Sequence, residues 1–173
     1  LITNLTREII SFDSQNKDNI YLTVGKKIET TIANLRKVLI ASFKFGNTLP
    51  SFDMVFPIRR IIDEYFLSER VGSVKIISTS FVGVFSQRPK ITNILPIEFP
   101  KEEQITNSFT LFEPDPETLL PPLLNHFLEM IIYQNLLESF ASEQGARMVA
   151  MQNATDNALE ISQELLLEYN KGR

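Results

Sequence analysis

Cysteine is absent from this 173-residue chain, histidine occurs once and glycine six times. Without cysteine and with one histidine, zinc sites, disulfide frameworks, cysteine nucleophiles and haem-attachment motifs are excluded. None of the glycines falls into GxGxxG or GxxxxGK[ST], so the glycine-rich phosphate cradles are excluded as well. No apolar run approaches the roughly 20 residues that cross a bilayer. No basic segment followed by an apolar stretch comes after Leu1, so no secretory leader is read. The chain opens on Leu1 and closes on Tyr169-Asn170-Lys171-Gly172-Arg173, which reads as a piece of a longer protein. What is present is a 43% apolar, 22% charged composition, ordinary for one folded domain with room for an appended element. The balance points away from chemistry and toward contact.

Net charge is −4, unevenly spread. Residues 1–100 carry 13 Lys/Arg against 9 Asp/Glu, whereas residues 101–173 carry 4 against 12. Two segments with opposite balances face different surroundings. The acidic one does not suit nucleic acid, whose phosphates need Lys and Arg.

Residues 1–12 predict a short helix and Asn19 to Val24 a strand ending at Gly25. Lys26 to Leu39 begins as a helix with Ile28, Ile32 and Leu35 on one face, and Val38–Phe45 suits a second strand. Ser51 is a candidate N-cap for a helix over Phe52–Ser68, which starts near Pro57 or kinks there. Val74–Ser80 and Phe81–Gln87 read as strands, and Pro96 and Pro100 close a third extended piece. This order predicts an α/β class with a mixed sheet. Phe109–Phe112 reads as one last strand, which bounds the globular domain at residues 1–112. Residues 113–121 read as an acidic, proline-rich linker, and residues 122–173 as one long helix starting at Pro122.

Alternating steps of three and four down that helix give Met130, Tyr133, Leu137, Phe140, Gln144, Arg147, Met151, Ala154, Ala158, Ile161 and Leu165. A 3.5-residue period is that of a left-handed coiled coil. The ordinary alternative, a helix lying on its own domain, is opposed by the length of the stripe. It is opposed also by the alanines, which admit a second helix backbone closely but fill a globular core poorly. No other segment here is long enough to be the partner. Two features oppose continuity: Gly145 costs roughly 1 kcal/mol relative to Ala, and Asn157 with Glu160 forms a possible capping box.

The segment ASEQGARMVAMQNATDNA, residues 141–158, resembles the signature near the carboxyl end of the γ subunit of F-type ATP synthases. EPDPETLLPPLLNHFLEMIIYQNLLES before it and ELLLEYNKGR after it resemble that family's flanks. YLTVGKK, LPSF and FVGVFSQRPKITNILP resemble its small α/β domain more weakly. The resemblance implies a small mixed-sheet, Rossmann-like domain followed by one long carboxyl-terminal helix forming half of an antiparallel coiled coil. It implies that the amino-terminal γ helix, the first strand and the extreme carboxyl end are missing. The implied role is that of a non-catalytic central-stalk rotor without cofactors. It would couple proton-driven rotation of the c ring to ATP synthesis on the α/β hexamer. The implied partners are the α and β subunits, the ε subunit, the c ring and the missing γ helix, with neither nucleic acid nor direct membrane insertion. The implied location is peripheral, on the catalytic-head side of an energy-transducing membrane. Lacking cysteine and a long insert, and with the signature string closing on TDNA at residues 155–158, the chain looks more like the bacterial type, at the cytoplasmic face of the plasma membrane.

Glu143 and Arg147 are four apart, so they share a helix face and can pair. Such a pair is routinely a surface contact of a few tenths of a kcal/mol. The resemblance places Arg147 where the shaft meets the moving region of a β subunit. Gln144, polar and on the seam, can set helix register. Thr155, Asp156 and Asn157 match the family's TDN and would bond across to the partner helix or collar, with solvent exposure the plain alternative. Arg173 matches the arginine of YNKAR, although Gly172 replaces the alanine before it. His126 lies among leucines and a phenylalanine with no second base nearby in sequence, and such a residue is more often packed or solvated than catalytic. Two other classes compete with the rotor. One is a small α/β nucleotide-binding enzyme with a helical dimerisation arm, which needs a phosphate loop or a base–nucleophile pair. The other is a coiled-coil adaptor that self-associates through the seam.

Overall fold

The computed structural model describes residues 2–15, 18–46, 48–97, 113 and 115–173. Helix α1 (Ile2–Gln15) is followed by strand β1 (Ile20–Val24), helix α2 (Lys26–Asn34) and strand β2 (Val38–Phe43). A 3₁₀ turn (Phe52–Met54) leads into α3 (Val55–Leu67). Strands β3 (Val74–Gly83) and β4 (Ser86–Leu95) come next, then α4 (Pro116–Lys171). Parallel and antiparallel pairing both occur. Among the described residues they form two small sheets, β1 with β2 in parallel across α2, and β3 with β4 as a hairpin. The α/β class predicted from the sequence is the class observed. The expected strand Phe109–Phe112 and the turn at Pro100 lie outside the described residues.

The local chemistry explains several boundaries. Gly25 opens α2 at φ 116° and ψ 141° and donates its N–H to the Phe43 carbonyl at 2.8 Å. That backbone region is open almost only to glycine. Helices α2 and α3 both end in a Schellman motif, with Lys37 and Arg70 donating back to Ile32 and Tyr65. The left-handed residues there are Arg36 and Glu69, not glycine. Pro57 lies in the first turn of α3, where its missing N–H has no intrahelical acceptor to lose. The helix therefore starts ahead of Pro57 without a break.

Among the boundaries that differ from the expected ones, two bear on the long helix and the hairpin it packs against. Residues 81–87 are not a separate strand: they hold the end of β3, the Val84–Phe85 turn and the start of β4. The turn has no Asn-Gly or Gly-Gly signal; the Gln87 side chain closes it, donating to the carbonyls of Val84 at 2.6 Å and Gly83 at 3.3 Å. The helix after the linker begins at Pro116, not Pro122. Asp115 caps it, accepting from the Thr118 backbone at 3.1 Å and the Thr118 hydroxyl at 2.9 Å. The hydroxyl bond first, then the backbone bond, holds the Asp115 carboxyl below its ordinary value. Pro121 and Pro122 consequently sit inside the helix, which is continuous through Asn153–Asn157 to Lys171.

Val55, Ile58 and Ile132 form the buried centre, surrounded by Leu22, Val24, Phe43, Phe52, Ile62, Ile76, Tyr133 and Leu136. One core thus joins both sheets, α3 and α4, and each fully buried aliphatic side chain contributes roughly 1.5–3 kcal/mol. A polar brace supports α1: Asp13 takes an ion pair from Lys37 and a 2.9 Å bond from the Tyr21 hydroxyl. The Lys37 bond lowers the Asp13 pKa. Burial, reinforced by Asp13, pushes Tyr21 up to about 12.

Two predictions follow from these local features. Gly25→Ala should lower stability by about 1–3 kcal/mol through backbone strain alone, since a Cβ there meets no atom within 4 Å. Denaturant unfolding measures it. The raised Tyr21 pKa stabilises the fold fully below the ordinary tyrosine value of 10.0 and is lost as pH rises through about 12. The Asp13 contribution is instead present above 3.8 and lost as pH falls through its lowered value. Phenolate absorbance during alkaline titration, compared with Tyr21→Phe, should show the late ionisation vanish in the variant.

Candidate interaction surface along the long helix

Helix α4 has 56 residues, about 84 Å at 1.5 Å each, and its environment changes along the way. Its first turns are mostly exposed, residues 128–147 are covered on one side, and every residue from Met151 to Arg173 is exposed. The covered stretch buries Leu128, Glu129, Ile132, Ser142 and Gly145.

Glu129 is a buried carboxylate, and Arg59 of α3 pairs with it. Arg59 also donates to Asp63 at 3.0 Å, and His126 Nδ1 lies 3.7 Å from the second Glu129 oxygen. Burial opposes the Arg59 charge, but Glu129 and Asp63 outweigh it and raise its pKa. His126 itself is exposed at the helix surface beside the Phe52 ring. Higher on α4, Ser78 donates to Asn135 at 2.7 Å, and Asn135 donates to the Ile131 carbonyl at 2.8 Å.

The last covered turn carries a further contact with β3. Pro89 sits opposite Thr79 in the hairpin, and a proline fits a ladder only where the pair does not bond across it. The Thr79 carbonyl therefore faces the outer edge of β3, where Ser142 Oγ donates to it at 3.3 Å. One turn on, a Cβ at Gly145 would stand 3.0 Å from the Phe81 ring. Gly145, expected as a weak point of the helix, is where the Phe81 ring of the hairpin fills the space a side chain would take.

Of the predicted contact residues, the structure brings three together. Arg147 donates to Glu143 and to Gln144, each at 2.8 Å. Both bonds are within one turn of α4, and Glu143 is exposed. Thr155 donates back to the Met151 carbonyl at 3.0 Å, so it does not cap a new helix. Asp156, Asn157 and Arg173 are exposed and stand apart from the Arg147 group. On the seam, Tyr133 packs on the core, while Leu137, Phe140, Gln144 and Arg147 are half-buried. Met151, Ala154, Ala158, Ile161 and Leu165 are exposed.

Three features escaped the sequence reading. Leu120, Leu123 and Phe127, ahead of Met130 on α4, are exposed apolar side chains; of these only Leu123 falls on the alternating step, which runs back from Met130 through His126, Leu123 and Leu119. Leu159 and Leu166, seven apart, are also exposed on a face outside the seam. Asp156, Glu160, Glu164 and Glu168 recur every four residues along the uncovered half. Among the described residues no cluster of His, Asp or Glu could hold a metal ion, and no helix is long and apolar enough to cross a membrane.

The fold of a small α/β body with one helix running far past it has solved counterparts. The rotor of Euglena gracilis mitochondrial ATP synthase superposes with a TM-score of 0.65 at 20% identity, covering 100% of this chain and 67% of that one. The central stalk and c-ring structure of Tetrahymena thermophila mitochondrial ATP synthase gives 0.66 at 22% identity, over 87% of this chain and 67% of that chain. A sequence-family profile described as ATP synthase matches residues 1–173. ATP synthase gamma chains of Dehalococcoides mccartyi and Roseiflexus castenholzii are 38% and 37% identical over 177 residues, covering 100% of this chain. The chain belongs to the ATP synthase family and spans 61% of the length of these two gamma-chain relatives.

The Arg147 bonds lie within a single turn and one partner is exposed, so Arg147→Ala should change thermal stability by less than about 1 kcal/mol. A larger loss in a thermal melt would mean that the group holds the fold and is not held ready for contact.

Proposed function

We propose that this chain is the central-stalk rotor part of an F-type ATP synthase, non-catalytic itself, coupling proton-driven rotation of the c ring to ATP synthesis on the α/β hexamer. The observation that carries the reading is the seam: its 3.5-residue period continues through Met151–Leu165, which the described residues of the body leave exposed. Burying that ridge takes a second helix, and Ala154 and Ala158 leave room for its backbone. The amino-terminal γ helix is the proposed occupant. The α and β subunits would surround the paired helices, with ε and the c ring against the α/β body. Glu143, Gln144, Arg147, Thr155, Asp156, Asn157 and Arg173 are the proposed contacts with these subunits. The complex would sit peripherally on an energy-transducing membrane, and the bacterial gamma-chain relatives favour the cytoplasmic face of a bacterial plasma membrane. The rotor would act by differential contact: an asymmetric shaft gives each β subunit a different neighbour, so nucleotide affinity changes with angle. The nucleotide-binding enzyme reading gains nothing from these matches.

Ala154→Leu with Ala158→Leu should reduce recovery of the assembled complex, read as the amount co-purifying with the α and β subunits. Undiminished recovery would overturn the close-approach argument. Isothermal titration of the chain with ATP should give no binding heat; saturable binding would favour the enzyme instead.

A further inference from the structure

Where α4 leaves its own body, the contacts of the last covered turns are of an unusual kind. Ser142 is fully buried, its hydroxyl on the Thr79 carbonyl. The glycine at 145 lets the Phe81 ring stand against the helix backbone. The Gln87 amide that closes the hairpin turn lies in the same contact, 3.8 Å from the position a Gly145 Cβ would take. Below it, Ser78 and Asn135 make a second tie between β3 and α4 at 2.7 Å. Beyond Arg147 the body makes no comparable grip, and Met148 is already exposed.

We propose that Ser142 and Gly145 of α4, held by Thr79 and Phe81 of β3, form a clasp that sets the angle at which the uncovered half of the helix leaves the body. Gly145 and Phe81 are positioning residues in this assignment, and it rests on the rotor reading above. Leverage makes the clasp matter. From Met148 to Lys171 the helix extends about 36 Å, so a rocking of roughly 10° at the clasp would carry its far end about 6 Å. A displacement of that size is several times the misplacement of about 1 Å that can already cost a hundred-fold in an active site. The close approach also has a size limit. A methyl at 145 needs the partly exposed Phe81 ring to give by a few tenths of an ångström, whereas an isobutyl group needs the whole ring displaced.

The test uses the assembled ATP synthase carrying this chain within its full subunit. It measures ATP hydrolysis together with ATP-driven proton pumping in sealed vesicles. Gly145→Ala should leave the ratio of pumping to hydrolysis unchanged within about two-fold, and Gly145→Leu should lower it by about ten-fold. Adding Phe81→Ala to Gly145→Leu makes room for the larger side chain and should restore the ratio. If Gly145→Leu fails to assemble, recovery of assembly by the added Phe81→Ala supports the clasp, and continued failure overturns it. An unchanged ratio in Gly145→Leu, or a low ratio that Phe81→Ala does not raise, overturns it too. Failure of the rotor reading looks different: the unaltered complex would then hydrolyse ATP without pumping, or form without this chain.

Discussion

A helix of 56 residues cannot be covered by a body that reaches only its first half. That mismatch governs the molecule. On the body side, the helix is fixed by ordinary means: Ile132 in the core, the Arg59–Glu129 pair and the hydrogen bonds from β3. Beyond Arg147 those means end, yet the sequence continues to place Met151, Ile161 and Leu165 in phase. Leaving such side chains in water costs free energy that only another surface can return. The proposed function follows from this imbalance more than from any single polar residue.

The buried charge at Glu129 shows how the covered half is kept specific. A carboxylate removed from water is costly unless paired. Arg59 supplies the partner from α3 and is itself steadied by Asp63 at 3.0 Å. The arrangement adds directional contact where the aliphatic core alone would let α4 slide along α3. The hairpin contributes a second direction, because the Thr79 carbonyl on the outer edge of β3 accepts from Ser142 of α4.

Much of this was legible in the residues. The 3.5-residue period, the strand–helix–strand order from β1 to β2 and the position of α3 all come from spacing and breakers. Other features were hidden for identifiable reasons. The hairpin turn carries Val84 and Phe85 where glycine or asparagine would have marked it, and a side-chain amide closes it. The ends of α2 and α3 use Arg36 and Glu69 at left-handed positions, which no composition rule flags. The start of α4 was misplaced because two prolines looked like a boundary, whereas the Asp115–Thr118 cap lies ahead of them. Gly145 was visible but misjudged: propensity sees the missing methyl as a loss, and only the Phe81 ring shows what the gap admits. The alternation of apolar and cap-like residues at Asn153–Asn157 likewise says nothing about continuity until neighbouring turns are seen to hold.

The acidic series Asp156, Glu160, Glu164 and Glu168 has a consequence for the bare helix. Like charges four residues apart each weaken a helix by roughly 0.2–0.5 kcal/mol, and salt relieves them. Solitary, this tail would therefore fray most readily in dilute buffer, and it would stiffen as cations or a basic lining gather along it. In the proposed rotor, part of the stiffness of the outer half would accordingly come from what surrounds it.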